Sequence, residues 1–502
     1  MFRVPVPQSR FVPTTAKSYP FSTMAKAREP LDLDAYGFVE EEYFLSGTAN
    51  VYAFDGKEIH IEESGLPYTT RVLVRRPADS DPDVAWVSIL NASQGYDIED
   101  DWRRAWNYII SRRLAYVAIT AKPIQISALQ TFDAMRYKDL YFGGLPEQVD
   151  AQKPGWNPFM KMGNAEEGLA WDIIAQTAAW LRSGDAPITP EHIFLIGQSQ
   201  SAVYTNTYLT FFHNRLRIAR KRTFDGYAPG VGSVLVKEIN QRGTGIPATC
   251  LDNTPVPSTP TGGTRQQTFQ PYLVEQADLD VPVIAVSSEA DVVLFGGGAA
   301  TFTAGDGPLR RHWHVSRAPH SDARSRVIPD DSEVIKSGRL PRQLTRDRLE
   351  RLISLPIEPI ETAQMQALEN WARTGALPAP SAYFATDESG FVRDGGYLVG
   401  GIRIGLVEYP LATFIPSLST NPVLGSQELK SRDEVLARWA SFDDYLKAID
   451  EVDDALQEAG YLEPVGRAFI HQVAQELWGR IVDGKAAPMS SPQSVIRDAV
   501  GG

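Results

Sequence analysis

Cysteine is almost missing from this sequence: Cys250 is the only one in 502 residues. A lone cysteine forms no internal disulfide. A chain this long without one suits a reducing compartment, so a cytoplasmic setting is expected. Cys250 lies in a polar, proline-rich stretch where nothing adjoining would lower a thiol pKa, which argues against a catalytic thiol. Long apolar runs are missing too. None approaches the roughly 18–20 residues of a membrane span, and no secretory apolar segment follows the N-terminal charges. Positive charge is in deficit, with 49 Lys and Arg against 62 Asp and Glu, a net charge of −13. That balance argues against a nucleic-acid or anionic-membrane surface. Histidine is scarce. His312 and His314, two apart on a strand, face one side but lack the third ligand a zinc site needs. Gly296-Gly297-Gly298 lacks the lysine of a P-loop and the spacing of a dinucleotide fingerprint, and reads as a turn. No metal or organic cofactor is expected.

What is present is the composition of an ordinary globular protein, long enough for one large α/β domain with extensions or for two domains. Residues 1–30 are basic and free of acids until Glu29, as in a transit peptide. Pro5, Pro7, Pro13 and Pro20 oppose the amphipathic helix such a peptide needs, so an extended arm over 1–36 is expected. Strand composition follows at 38–45 and 51–54, split by Ser46-Gly47-Thr48. Another strand covers 68–76, with Val72 and Val74 on one face and Arg71, Leu73 and Arg75 on the other. Strands at 84–90 and 116–120 flank a helix at 99–113 that starts with three acids and ends with two arginines. Residues 122–164 show little periodicity and read as an excursion. An amphipathic helix at 168–182 leads into a strand at 193–196. Alternation of strand and helix from 84 to 209 means a parallel sheet with helices on both faces. Later strands are expected at 223–228, 281–287 and 310–316. A Gly, Pro and Thr-rich insert at 230–271 reads as a lid. A helix at 362–373 precedes a change of texture after Gly375: β-like at 395–411, then helical at 434–459 and 463–481. The expected division is an arm at 1–36, a catalytic domain at 37–375, and a C-terminal extension at 376–502 that docks on the core through its apolar helix faces.

The chain is organised around His192–Leu209. The run 193–196 has the composition of a buried strand. Gly197-Gln198-Ser199-Gln200-Ser201 follows, and a helix begins at once. Strand, sharp turn with a central serine, helix is the context in which G-x-S-x-G becomes a nucleophile elbow. Positions two before and two after the serine nearly touch, so both are expected to be small; Ser201 departs from the usual glycine. Two further residues follow later strands in order: Asp291 after 281–287 and His320 after 310–316. Serine, acid, histidine is the α/β-hydrolase order. The chemistry requires each. A serine hydroxyl is a weak nucleophile until a base takes its proton. Imidazole changes charge nearest neutrality and supplies that base. A carboxylate fixes its tautomer. Glu289 competes with Asp291 for the acid role. Asp291 is favoured, because a turn beginning at Ser288 would carry it toward His320 and leave Glu289 solvated or in a supporting place. The oxyanion hole would use the N–H of Gln200 and one N–H of the loop after 84–90, at Gln94 or Gly95.

The chain resembles a bacterial family of alpha/beta hydrolase domain-containing proteins. The likeness rests on GFVEEEYFLSGTANVY at 37–52, LNASQGYD at 90–97, GQSQSA at 197–202, SSEADV at 287–292, APHSD at 318–322 and GGIR at 400–403. Family members usually carry Glu at Gln198 and Gly-Gly at Gln94-Gly95. The resemblance implies the hydrolase fold, includes the segment after Gly375, and implies no particular substrate. The expectation is an α/β-hydrolase fold, a mostly parallel doubly wound sheet with a mainly helical C-terminal extension. Its expected work is to cleave small carboxylic esters as a serine esterase. Amide or lactone hydrolysis would use the same residues. A catalytically silent binding protein on this fold is the alternative from another class, and an intact triad argues against it.

Overall fold

The computed structural model describes the chain apart from residues 56–57, 154–155, 220, 233–234, 242–268, 272–278, 296–305, 323–328, 342–349, 420–422 and 488–502. Cys250, Gly296-Gly297-Gly298 and most of the 230–271 insert therefore lie outside the described residues. The chain groups into two compact units. One comprises 1–103, 112–281 and 328–342; the other comprises 104–111, 282–327 and 343–502.

The first unit is built on a mixed sheet of β1 (Gln8–Val12), β2 (Phe38–Phe54), β3 (Ile59–Pro77), β4 (Val84–Ile89), β5 (Ala115–Ile119), β6 (His192–Gln198) and β7 (Gly226–Gly230), in the order β7-β6-β4-β5-β3-β2-β1. The pairs β7/β6, β6/β4 and β4/β5 are parallel. The pairs β5/β3, β3/β2 and β2/β1 are antiparallel. Every residue of β4 and β5 is buried, as strands covered on both faces must be. Helices α1 (Asp100–Ser111, whose residues 104–111 group with the second unit), α2 (Pro123–Phe132), α3 (Ala170–Leu181) and α4 (Gln200–Thr207) connect them.

Several sequence expectations need correction. The segments 38–45 and 51–54 form one strand of 17 residues. Ser46, Gly47 and Thr48 pair with Thr69, Tyr68 and Pro67 without a break. Gly47 is there for room: a Cβ would stand 2.9 Å from Gln176 Oε1 and 3.2 Å from the Tyr68 ring. The excursion at 122–164 contains α2. Eight of its ten residues are buried, so it carries no amphipathic period to read. Likewise all twelve residues of α3 are buried, against the amphipathic helix expected. Arg71 and Arg75 of β3 are also buried, within an ion network. Arg71 Nε donates to Glu42 at 2.6 Å and its Nη1 to Asp97 at 3.0 Å; Arg75 Nη2 donates to Glu99 at 2.9 Å. Buried charges persist only when paired in this way.

In the second unit, β8 (Val283–Ser288) and β9 (Arg310–Val315) pair in parallel, all residues buried. Helices α5 (Glu289–Phe295), α6 (Glu358–Thr374), α7 (Arg432–Arg438), α8 (Phe442–Ala459) and α9 (Pro464–Val482) follow. The expected single helix over 434–459 is two, because Trp439 is extended and Ser441 caps α8 by accepting from Asp444 N. The expected β-like stretch 395–411 contains a two-residue strand, Tyr397–Leu398, and a helix, Gly405–Glu408. The chain after Gly375 is bound to β9: Ala382 N donates to His312 O at 3.1 Å and Ile402 N to His314 O at 2.7 Å. His312 and His314 are both buried, their ring centroids 4.5 Å apart. His312 Nε2 meets Ser287 Oγ at 2.8 Å, and His314 Nδ1 accepts from Phe384 N at 3.0 Å. Burial holds the His312 pKa well below the usual imidazole range. Among the described residues, no helix is long and apolar enough to cross a membrane.

Asp453 of α8 carries a stability prediction. It is buried and accepts from Gly405 N at 2.9 Å. Burial pushes its pKa up to about 7. An acid with a raised folded-state pKa binds more protons folded than unfolded, so it costs stability as pH rises from about 4 to about 7. Asp453→Asn keeps an acceptor for Gly405 and removes the charge. Its melting temperature at pH 8 should exceed that of the wild type, with no gain at pH 4. Equal melting temperatures at pH 8 would contradict the burial argument.

Candidate active site

Because β4 and β6 are parallel neighbours, the loop after β4 and the turn after β6 leave the sheet side by side at its carboxyl edge, where ligands bind in sheets of this type. Ser199 is that turn. It sits at φ 57°, ψ −121°, between the last residue of β6 and the first of α4. A non-glycine residue there costs about 1–3 kcal/mol and persists only where its surroundings impose it. The surroundings are specific. Ser199 N donates to Gly230 O at 3.0 Å. A Cβ at Gly197 would stand 2.6 Å from the Ser201 carbonyl carbon and 2.7 Å from Thr205 Oγ1. A Cβ at Gly232 would meet Ser199 O at 2.7 Å. The small-residue demand thus falls on Gly197, Gly230 and Gly232. Positions 197 and 201 approach closely as expected, the contact being made by the main chain of Ser201. The Ser201 hydroxyl instead accepts from Lys122 Nζ at 3.2 Å, and the same ammonium donates to Leu90 O. Lys122 is buried, and desolvation pushes its pKa down to about 7 despite Glu167 and Asp97.

The loop 90–97 is strapped to the elbow. Asn91 Nδ2 donates to Gln198 O at 3.1 Å, and Ala92 N donates to the Gln200 side-chain carbonyl at 2.8 Å. These two bonds flank Ser199. At the far end of the loop, Asp97 accepts from Thr120 Oγ1 at 2.6 Å as well as from Arg71. Ser93 N donates to Asn91 Oδ1 at 2.7 Å and Gly95 N to Ala92 O at 2.7 Å. Gly95, one of two expected oxyanion donors, therefore spends its N–H on closing the turn. Tyr96 is buried, and its hydroxyl donates to Gln94 Oε1 at 2.9 Å.

In the second unit, Asp291 and His320 meet: His320 Nδ1 lies 2.7 Å from Asp291 Oδ1. The expected turn after β8 is a helix. Ser288 caps α5 with a reciprocal box, Ser288 N donating to Asp291 Oδ2 at 2.7 Å and Asp291 N to Ser288 Oγ at 3.2 Å. Ser288-Glu289-Ala290-Asp291 before Val292 is the S-x-x-D signature of that box, a signal the chain carries openly. Glu289 is neither solvated nor at His320. It is buried, accepting from Arg317 N at 2.7 Å and Leu398 N at 2.8 Å, and desolvation raises its pKa. It braces Arg317, itself at φ 56°, three residues before the histidine. Sequence reasoning missed Arg104: its Nη2 donates to His320 O at 3.2 Å, while Nη1 grips Glu361 at 2.9 and 3.0 Å.

In the first unit, parallel strands wound with helices and a strained serine in the turn after one of them are features of the α/β-hydrolase fold. The chain belongs to the family described as "Alpha/beta hydrolase domain", whose model matches residues 4–471. No curated protein matches it. Among solved structures it is similar to a PNB esterase (11% identity, 66% of this chain and 87% of that one covered, TM-score 0.29). It is also similar to a Pyrobaculum calidifontis esterase (12%, 54% and 75%, 0.27) and to a cold-adapted esterase from an Arctic intertidal metagenomic library (13%, 55% and 84%, 0.26). At that identity and superposition no activity passes from them to this chain.

Proposed function

We propose that this protein is a serine hydrolase of carboxylic esters, with Ser199 as nucleophile, His320 as base and Asp291 as its orienting acid. The observation that carries the reading is the forced backbone of Ser199 between β6 and α4, a sparsely populated conformation of the kind that clusters at active sites. The Asp291–His320 hydrogen bond supports it. With Nδ1 donating to Asp291, Nε2 is the nitrogen that takes the Ser199 proton as Oγ adds to the ester carbonyl carbon. Collapse of the tetrahedral intermediate breaks the bond to the alcohol oxygen, which leaves with the proton from Nε2. Water, deprotonated by the same nitrogen, then releases the acid and restores Ser199. The oxyanion would be held by the N–H groups of Gln200 and Gln94. A small ester is the substrate of this reading, with no cofactor in any step.

The test is a fluorophosphonate probe, which phosphonylates activated serines. Peptide mapping should place the adduct on Ser199, and prior labelling should abolish hydrolysis of 4-nitrophenyl esters. A folded protein that takes up no probe would favour the silent binding module.

A further inference from the structure

Arg339 is far from the elbow in sequence and close to its loop in space. A short helix, Asp331–Lys336, delivers it. Asp330 caps that helix by accepting from Ser332 N, and Gly338 at φ 74° ends it. The Arg339 side chain is almost fully buried, yet its partners are carbonyls and a hydroxyl rather than a carboxylate. Nε donates to Gly95 O at 2.9 Å, Nη1 to Val149 O at 2.9 Å, and Nη2 to Ser127 Oγ at 3.2 Å. Its guanidinium also lies 5.0 Å from the Trp156 ring centroid. That indole covers Gly95, where a Cβ would stand 2.5 and 2.6 Å from Trp156 ring carbons. Burial lowers the Arg339 pKa only to about 10, so the group is charged at neutral pH. A buried cation without a bonded carboxylate is a costly choice for simple packing, which an apolar side chain would supply more cheaply.

We propose that Arg339 is a positioning residue for the oxyanion loop, an inference that rests on the serine-hydrolase reading above. Gly95 is held at both ends: its N–H by Ala92 O, its carbonyl by Arg339. At φ 81° it has a backbone that glycine alone enters freely. The Gln94 N–H, the proposed oxyanion donor, belongs to the Ser93–Gln94 peptide at the centre of the turn that Gly95 N closes on Ala92 O, and the Arg339 bond to Gly95 O anchors the end of that turn. The planar fork suits the task, since it reaches Gly95, Val149 and Ser127 at once, and lysine would not. Trp156 shields the bonds from water, where they would weaken.

The test uses the full chain with Arg339→Met and Arg339→Lys, assayed on a 4-nitrophenyl ester and against a trifluoromethyl ketone, which forms a tetrahedral adduct. Removing an oxyanion donor costs about 10²–10³-fold in kcat. Arg339→Met should lose roughly 10²-fold in kcat with KM little changed, and adduct affinity should fall in step with kcat/KM. Arg339→Lys should not recover it, because an ammonium cannot bridge Gly95, Val149 and Ser127 together. Gly95→Ala, whose Cβ would press on Trp156 and stand 3.2 Å from Arg339 Nε at a φ that strains alanine, disturbs the same grip from the loop side. It should show the same split and serves if Arg339→Met does not fold. Unchanged kcat in these variants, or a rise in KM alone with adduct affinity retained, would overturn the proposal while leaving the esterase reading in place. A wild type that hydrolyses no ester and binds no fluorophosphonate would overturn both.

Discussion

Ser199→Ala should lower kcat for ester hydrolysis by roughly 10⁴-fold or more. The variant removes one oxygen and nothing else that the turn depends on. Alanine at φ 57° carries the same backbone strain as serine, and the features that impose it are main-chain contacts: Ser199 N on Gly230 O, and the close approaches at Gly197 and Gly232. The melting temperature should therefore stay within a few degrees of the wild type while activity disappears. Steady-state kinetics on one 4-nitrophenyl ester, with a thermal melt of each protein, measure both. Near-wild-type hydrolysis by the alanine variant would remove Ser199 from the chemistry. A lost activity accompanied by a collapsed melt would instead mean that the hydroxyl is structural.

The second large effect is expected at Asp291. Asp291→Asn is nearly isosteric, yet it should cost roughly 10⁴-fold, as when a triad acid is made neutral elsewhere. The hydrogen bonds of this carboxylate explain why. Oδ2 accepts from Ser288 N, so an asparagine must turn its carbonyl to that donor. Its NH₂ then faces His320 Nδ1, which must become an acceptor. The imidazole proton moves to Nε2, and the base is lost. Glu289→Gln has a different consequence. Its two oxygens accept from Arg317 N and Leu398 N, and the amide replaces one acceptor with a donor. That loosens the approach to His320 by about one hydrogen bond, roughly a tenfold effect or less. The two variants assayed on the same ester decide the assignment. A larger loss in Glu289→Gln than in Asp291→Asn would transfer the acid role and leave Ser199 and His320 standing.

Much of the candidate site was legible because its signals are local. The elbow is announced by a branched run, Gly197-Gln198-Ser199 and the start of a helix in one short stretch, although Gly230 and Gly232 complete its surroundings from further along the chain. Asp291 and His320 were legible as strand-end residues in a recognised order. Ser288 and Asp291 spell a capping box in four letters, although that stretch reads in the sequence as a turn. The buried elements were harder. In α3 every residue is buried, and in α2 all but Gln130 and Thr131, so the 3.6-residue period that marks a half-exposed helix does not arise. The long β2 strand was hidden by Ser46-Gly47-Thr48, because a turn composition and a strand that must make room for Tyr68 look alike in one dimension.

By itself, then, the sequence determined the alternation that makes a parallel sheet, the strained serine at its edge and the order of the residues after later strands. These follow from backbone sterics and short-range periodicity. Only the tertiary structure decided what holds those residues in place. Arg339 grips Gly95 from 244 residues away, Arg104 grips the His320 carbonyl from 216, and Lys122 reaches Ser201 from 79. A buried cation takes whichever acceptors the fold brings to it. Its partners are set by chain packing, to which spacing along the sequence offers no guide.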